Sequence, residues 1–246
     1  MGIPVIGCKC PVCTSQDPHN KRLRPSALIK TADKKILIDC GPDYRQQALK
    51  FGIDKLDGVI LTHAHNDHTA GLDELRVYYM HTHRSLPVLL SKETAADIRA
   101  RFAYIFHQDR FYKLLPTFEL HEFEGDLGEL NFLGIPIAYT SYVQAQMTVH
   151  GFRIGNLAYV TDIRDYDEAI FQFLKGVDTL VLSALRLAPS PLHLTVEQAK
   201  EFALKSGVKN TWLTHLAHEL DHDAINASLP RNVQLAYDGL EIQFQI

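Results

Sequence analysis

The stretch VILTHAHNDHTAGLDELR, residues 59–76, sets His63, His65, Asp67 and His68 directly behind an apolar run. The run LDGVILTH (56–63) reads as a buried strand, because its apolar residues are continuous rather than alternating. Two histidines one residue apart, followed by an adjacent Asp and His, cannot all share one face of a helix or a strand. On a loop just past a strand end they can converge. His63 and His65 would then hold one ion, and Asp67 and His68 a second. Carboxylate with imidazole suits Zn²⁺, Mn²⁺ or Fe²⁺. The bland alternative is a polar loop of solvated histidines, and the density of ligands weighs against it.

A metal centre of this kind needs further ligands from other strand ends. AYVTDI places Asp162 at the end of one apolar run, and TWLTH places His215 at the end of another. A bare Asp after a strand is commonly a cap or turn residue; here it completes a cluster that already calls for it. Around these motifs, SALIKTADKKILIDCG (26–41) reads as a hairpin and DYRQQALKFG (43–52) as a helix stopped by Gly52. LPVLLS (86–91) is a strand, and KETAADIRARFAYIF (92–106) a single helix. The region 107–130 is expected to be irregular, a possible insertion over the site. IPIAYTSY, MTVHGFRIG and NLAYVTD follow as strands, DYDEAIFQFLKG (165–176) as a helix and VDTLVLSAL (177–185) as a strand. TVEQAKEFALKSG (195–207) opens with a capping box at Thr195 and Gln198, and VQLAYDGLEIQF (233–244) reads as a terminal hairpin through Asp238-Gly239. No internal repeat or linker interrupts the pattern, so a single domain over 1–246 is expected.

THAHNDHTAGL resembles the signature of the metallo-β-lactamase-fold hydrolases, and YVTD and LTH resemble that superfamily's later metal motifs. Within it the chain is most similar to the branch of phosphoribosyl 1,2-cyclic phosphate phosphodiesterases. GCKCPVC, RLRPSALI, LIDCGPDYRQQ, GFRIGNLAYVTDI, HLTVEQA, LTHLAHELDH and LAYDGLEI carry that likeness over nearly the whole chain. The resemblance implies an α+β four-layer αββα sandwich, with two mixed sheets packed face to face and helices outside. It implies His63 and His65 for one metal, Asp67, His68 and His215 for the other, and Asp162 bridging both. It also implies one or two catalytic Zn²⁺ or Mn²⁺ ions, with Asp67 and His193 as catalytic residues.

The family has a further histidine before GFRIG; counting back from Gly151 lands on Gln144, or on Ser141 by a shorter spacing, with His150 nearby. A Gln carbonyl is a weaker ligand than imidazole, so this departure raises a binding or regulatory protein on a weakened hydrolase scaffold as an alternative. Cys8, Cys10 and Cys13 leave a tetrahedral zinc one ligand short, and the resemblance supplies His218 as the fourth ligand of a structural Zn²⁺. Cys40 reads as a plain core thiol, and Asp39 as a residue that orients a ligand histidine or closes the DCG turn.

His193 lies just before a capped helix start and could protonate a leaving oxygen. Arg22 and Arg24 could reach a substrate phosphate or form a solvated pair. His81 and His83 read as surface residues, the aromatic FAYIFHQDRFY as a pocket wall or core, and His107, His121 and His222 have no assigned task.

Composition narrows the partner. Histidine is over-represented at 13 residues, and the net charge is −4. That charge argues against nucleic acid, and so against the tRNA-processing nucleases that share the signature. The intact HAHNDH argues against the branch resembling pyrroloquinoline quinone protein B. A small cyclic or nucleotide-like phosphodiester is the expected substrate, and a homodimer stays compatible with the chain. The four cysteines do not suggest a disulfide framework, no apolar run approaches a membrane span, and MGIPVIGCKC lacks a leader's basic start. A cytoplasmic protein is expected.

Overall fold

The computed structural model describes residues 2–106 and 117–246, and these form two compact units. One unit is Arg24–Glu124 and holds a five-stranded sheet in the order β1-β2-β3-β4-β5. Its strands are β1 Ala27–Lys30, β2 Lys35–Ile38, β3 Gly58–Ile60, β4 Leu86–Ser91 and β5 Phe118–Phe123. The β1–β2 hairpin is antiparallel, and β2 to β5 run parallel. Parallel neighbours need crossovers and are buried on both faces, which is why β3 and β4 read as unbroken apolar runs. Leu37, Val59, Leu61, Leu72, Leu75, Val88 and Leu90 lie in its core. Tyr44 and Tyr78 enter the same core with their polar ends satisfied. The two hydroxyls lie 2.6 Å apart, and Tyr78 donates to the carbonyl of Ile53 at 2.9 Å.

The other unit joins the residues up to Leu23 with Gly125–Ile246, around a seven-stranded sheet in the order β12-β11-β10-β9-β8-β7-β6. Its strands are β6 Leu127–Phe132, β7 Ile135–Gln144, β8 Met147–Ile154, β9 Leu157–Val160, β10 Thr179–Ser183, β11 Asn210–Thr214 and β12 Val233–Leu235. β6 to β9 form an antiparallel meander, and β9 to β12 are parallel. Helix Val196–Ser206 carries the crossover from β10 to β11. Its capping box is formed in both directions, Gln198 N–H to Thr195 Oγ1 at 3.1 Å and Thr195 N–H to Gln198 Oε1 at 3.0 Å, and Gly207 ends it at φ 68°. No helix among the described residues is long and apolar enough to cross a membrane.

Mixed sheets with helices agree with the expected α+β class, and four local expectations change. The terminal hairpin is absent: β12 pairs with β11, and the tail instead exchanges hydrogen bonds with Asn156 through Gln245. The helix expected over 165–176 contracts to Ile170–Phe173, because Asp165 pairs its backbone with Val143. The helix over 92–106 breaks at Phe102 into Lys92–Arg101 and Ala103–Phe106. Within 117–130, the segment expected to be irregular supplies β5 and the start of β6. The rest of that region, with His107 and much of the aromatic stretch, lies outside the described residues.

Two glycines let the DCG turn press against the histidine loop. A Cβ on Gly41 would lie 2.3 Å from the Asp67 carbonyl oxygen, and one on Gly71 would lie 2.1 Å from the Gly41 oxygen. Backbone cannot yield as a flexible side chain does. Gly71→Ala is therefore expected to destabilise the fold by about 1–3 kcal/mol, the usual cost of overpacking. A thermal midpoint within a degree of wild type would contradict this close approach.

Candidate metal centre

Each unit carries a set of metal-capable side chains at the C-terminal ends of its parallel strands. In the Arg24–Glu124 unit the set is organised by Asp39, at the end of β2 and fully buried. Its carboxylate accepts from the Thr62 backbone N–H at 2.9 Å, from Thr62 Oγ1 at 2.9 Å and from His68 Nδ1 at 2.7 Å. An ionised carboxylate only accepts, so His68 carries its proton on Nδ1 and keeps a lone pair on Nε2. Thr62 has one hydroxyl proton and gives it to Asp39. Its contact with His63 Nδ1 at 2.9 Å therefore has the histidine as donor, which leaves a lone pair on His63 Nε2. That nitrogen lies 3.0 Å from His65 Nδ1, close to the roughly 3.3 Å edge between two imidazole nitrogens on one tetrahedral zinc. The donor set fits a divalent cation. Asp67 is one-third exposed, with Oδ2 4.0 Å from His68 Nε2.

In the other unit Asp162 follows β9 and His215 follows β11. Asp162 Oδ1 lies 3.2 Å from His193 Nδ1 and 3.4 Å from His215 Nε2. The two imidazoles stack, with centroids 4.9 Å apart. Ligand atoms of Asp162, His193 and His215 all fall within 4.8 Å of one another, so these three could share an ion. Gln144, at the end of β7 and 2% exposed, meets this set as a donor: its Nε2 gives a hydrogen bond to Asp162 Oδ1 at 3.0 Å. Ser141 gives its hydroxyl to Asp126, and His150 sits opposite it on β8. Asp39, Asp162 and His215 all adopt left-handed backbone, with φ between 55° and 60°. For non-glycine residues that costs about 1–3 kcal/mol each and concentrates at functional sites.

The cysteines form a separate group within the same unit. Sγ of Cys8, Cys10 and Cys13 lie 3.2, 3.4 and 3.7 Å from His218 Nδ1. A tetrahedral S₃N zinc has sulfur–nitrogen edges of roughly 3.5 Å, so this donor set also fits. The Cys13 backbone N–H, aided by hydrogen bonds from His218 and the neighbouring cysteines, brings the Cys10 thiol down to about 6, while burial pushes Cys13 up. Cys40 belongs to the other unit, where it is fully buried, and burial raises it.

Arg22 departs from both readings made of it. It is 5% exposed and donates to the carbonyls of His19 at 3.0 Å, Ala217 at 3.5 Å and Leu220 at 2.7 Å, and to Asn20 Oδ1 at 3.1 Å. It therefore ties down the loop that carries His218 and is neither solvated nor aimed at substrate. Arg24 pairs with Asp43 at 2.8 Å. Thr62 is a residue that sequence reading missed and Arg22 one that it misassigned, since neither type signals its role until its partners are known.

A further group, His19, His222 and Asp223, also has ligand atoms within 4.8 Å of one another. Its chemistry argues against a metal. Asn226 Oδ1 accepts from the Leu235 N–H at 2.8 Å, so its Nδ2 must donate to His222 Nε2 at 3.0 Å. The proton of neutral His222 then sits on Nδ1, and neither ring nitrogen offers a lone pair.

Burial, with His19 and Arg22 nearby, holds His222 below its ordinary value of 6.5, against the opposing pull of Asp223 and Asp17. The unfolded chain therefore binds that proton more readily, and stability should fall as pH drops through and below 6.5. His222→Gln is expected to flatten this acid limb in urea titrations run from about pH 8 to about pH 5. An unchanged limb would contradict the assignment. Removing Arg22 should cost about 1–3 kcal/mol, because buried carbonyls lose their donor; a urea midpoint matching wild type in Arg22→Met would refute the clamp.

Comparison with known proteins shows the family of the chain. A family model described as the beta-lactamase superfamily domain matches residues 34–216. The crystal structure of a new diphosphatase from the PhnP family superposes with a TM-score of 0.91 at 36% identity, covering 99% of this chain and 92% of that one. An octanoyltransferase of Porphyromonas gingivalis is 38% identical over 243 residues, covering 98% of this chain but 49% of that protein. The chain thus spans about half the length of that relative. A ribonuclease Z of Mycobacterium bovis is 26% identical over 245 residues, covering 87% of this chain and 85% of the relative.

Proposed function

The chain belongs to the metallo-β-lactamase superfamily of hydrolases, and from that premise we propose that it cleaves a small cyclic or nucleotide-like phosphodiester. The observation that carries this reading is the pair of fixed tautomers. Asp39 and Thr62 hold His68 and His63 so that Nε2 is the unprotonated nitrogen of each ring, the form a cation needs. We assign His63, His65, Asp67 and His68 as metal ligands, together with Asp162 and His215.

Bound Zn²⁺ or Mn²⁺ would supply Lewis acidity, lowering the pKa of a water and stabilising charge on the phosphoryl oxygens. The residues do the rest. Asp39 keeps the His68 ring from rotating. Asp67, the most exposed of the carboxylates named here, accepts the proton of the attacking water. His193, held by Asp162, protonates the leaving oxygen. The diphosphatase named for the PhnP-family relative makes a diphosphate bond the nearest variant of the same chemistry. Acyl transfer, named for the P. gingivalis protein, belongs to a chain twice as long, and the ligand set favours hydrolysis. We assign Cys8, Cys10, Cys13 and His218 to a structural Zn²⁺ that fastens the early chain to the His215–His218 loop.

A second reading, tRNA processing, has the ribonuclease Z likeness in its favour and the net charge of −4 against it. A third, a binding protein on a weakened scaffold, draws on Gln144 facing Asp162 with a donor where a metal would use a lone pair.

Elemental analysis of protein purified without chelator should find cysteine-bound zinc plus one or two further ions. The protein should hydrolyse bis(p-nitrophenyl) phosphate or a cyclic phosphate, and His63→Ala should lower kcat/KM by more than the 10–100-fold usual for outer-sphere losses. Cleavage of tRNA in preference to these substrates would favour the second reading. A metal count of cysteine-bound zinc alone, with no turnover, would favour the third. Cys10→Ser should lose one zinc and melt earlier, because structural zinc contributes directly to folding; wild-type zinc content in that variant would remove the cysteine site.

A further inference from the structure

One side chain from outside the histidine loop donates three hydrogen bonds into it. We propose that Arg101 is a positioning residue for the metal centre, holding the loop 63–69 in its ligating shape; this rests on the metal-site reading above. Arg101 is the last residue of helix Lys92–Arg101, which begins where β4 ends and has Ser91 as its N-cap. β4 lies beside β3, the strand that leads into the loop. Nη2 donates to the Ala64 carbonyl at 2.5 Å, and Nη1 donates to Asn66 Oδ1 at 2.8 Å and to Thr69 Oγ1 at 3.1 Å.

The three contacted residues alternate with the assigned ligands. Ala64 lies between His63 and His65, Asn66 between His65 and Asp67, and Thr69 follows His68. The loop's own bonds complete the grip: Thr69 Oγ1 donates to the His65 carbonyl at 2.8 Å, and His68 N–H donates to the same oxygen at 3.0 Å. Asp97, one turn earlier on the helix, pairs with Arg101 Nε and aims the fork. The side chain is 30% exposed, so it can be replaced without opening the core. Lysine offers a single ammonium in place of a planar fork and cannot satisfy three separated acceptors.

Arg101→Ala and Arg101→Lys are therefore both expected to weaken metal binding by about 10- to 100-fold in chelator competition, with kcat falling alongside. Metal-free protein should melt as wild type does, which separates positioning from general stability. Arg99→Ala, which breaks the pairing of Arg99 with Glu122 on the same helix, should bind metal normally. If Arg101→Ala holds metal like wild type, or if Arg101→Lys fully restores affinity, the proposal fails and the metal-site reading stands. If wild-type protein shows no metal that His63→Ala removes, both fail together.

Discussion

A buried carboxylate with three donors around it, Asp39, is the interaction on which the rest of the histidine loop depends. An ionised group with no exposure to water is expensive unless it is fully hydrogen-bonded. Asp39 achieves this by drawing in the Thr62 N–H, the Thr62 hydroxyl and His68. Each bond has a consequence beyond its own energy. The bond to His68 fixes one ring's proton. The spent hydroxyl of Thr62 then fixes the proton of His63, one step removed. Two histidines are thereby made into lone-pair donors by a residue that need not touch an ion.

The same arrangement recurs with other chemistry in the second unit. Asp162 there gathers His193, His215, Gln144 and Thr161 about one carboxylate, and it too sits in left-handed backbone just past a strand end. Strained strand termini bear most of the chemistry in both units, while the strands themselves are ordinary apolar core. Arginines brace the loops that follow. Arg22 holds the carbonyls around His218, and Arg101 holds the groups between the histidines of the first loop. A guanidinium suits this work because its donors diverge in a plane and stay charged at every physiological pH.

Much of this was readable in the chain. The apolar runs ending in His63, Asp162 and His215 announced strands with ligands at their ends, and the run before Asp39 announced a strand with a turn behind it. Thr195 and Gln198 announced a helix start, which the structure has in both halves of its capping box. These signals are local, so neighbouring residues suffice to decide them. Two of the misread elements failed where a distant partner intervened. Val143 draws Asp165 out of a helix, and Asn156 takes the tail that would otherwise have formed a hairpin. Arg22 looked like a surface cation because nothing nearby in sequence hints that it ends under Leu220.

What the sequence determined alone was the inventory: which strand ends carry histidine or aspartate, which cysteines stand close together, and that the run leading into His63 would be a buried strand. What only the tertiary structure decided was the state of each side chain. The proton position on His68 depends on Asp39, 29 residues earlier, and the cysteines meet His218 across more than 200 residues. The same distance effect turns His222, for all its promising neighbours, into a donor with no lone pair to offer. A histidine's type is written in the chain, but which of its nitrogens can bind a cation is set by the partner that folding brings to the other one.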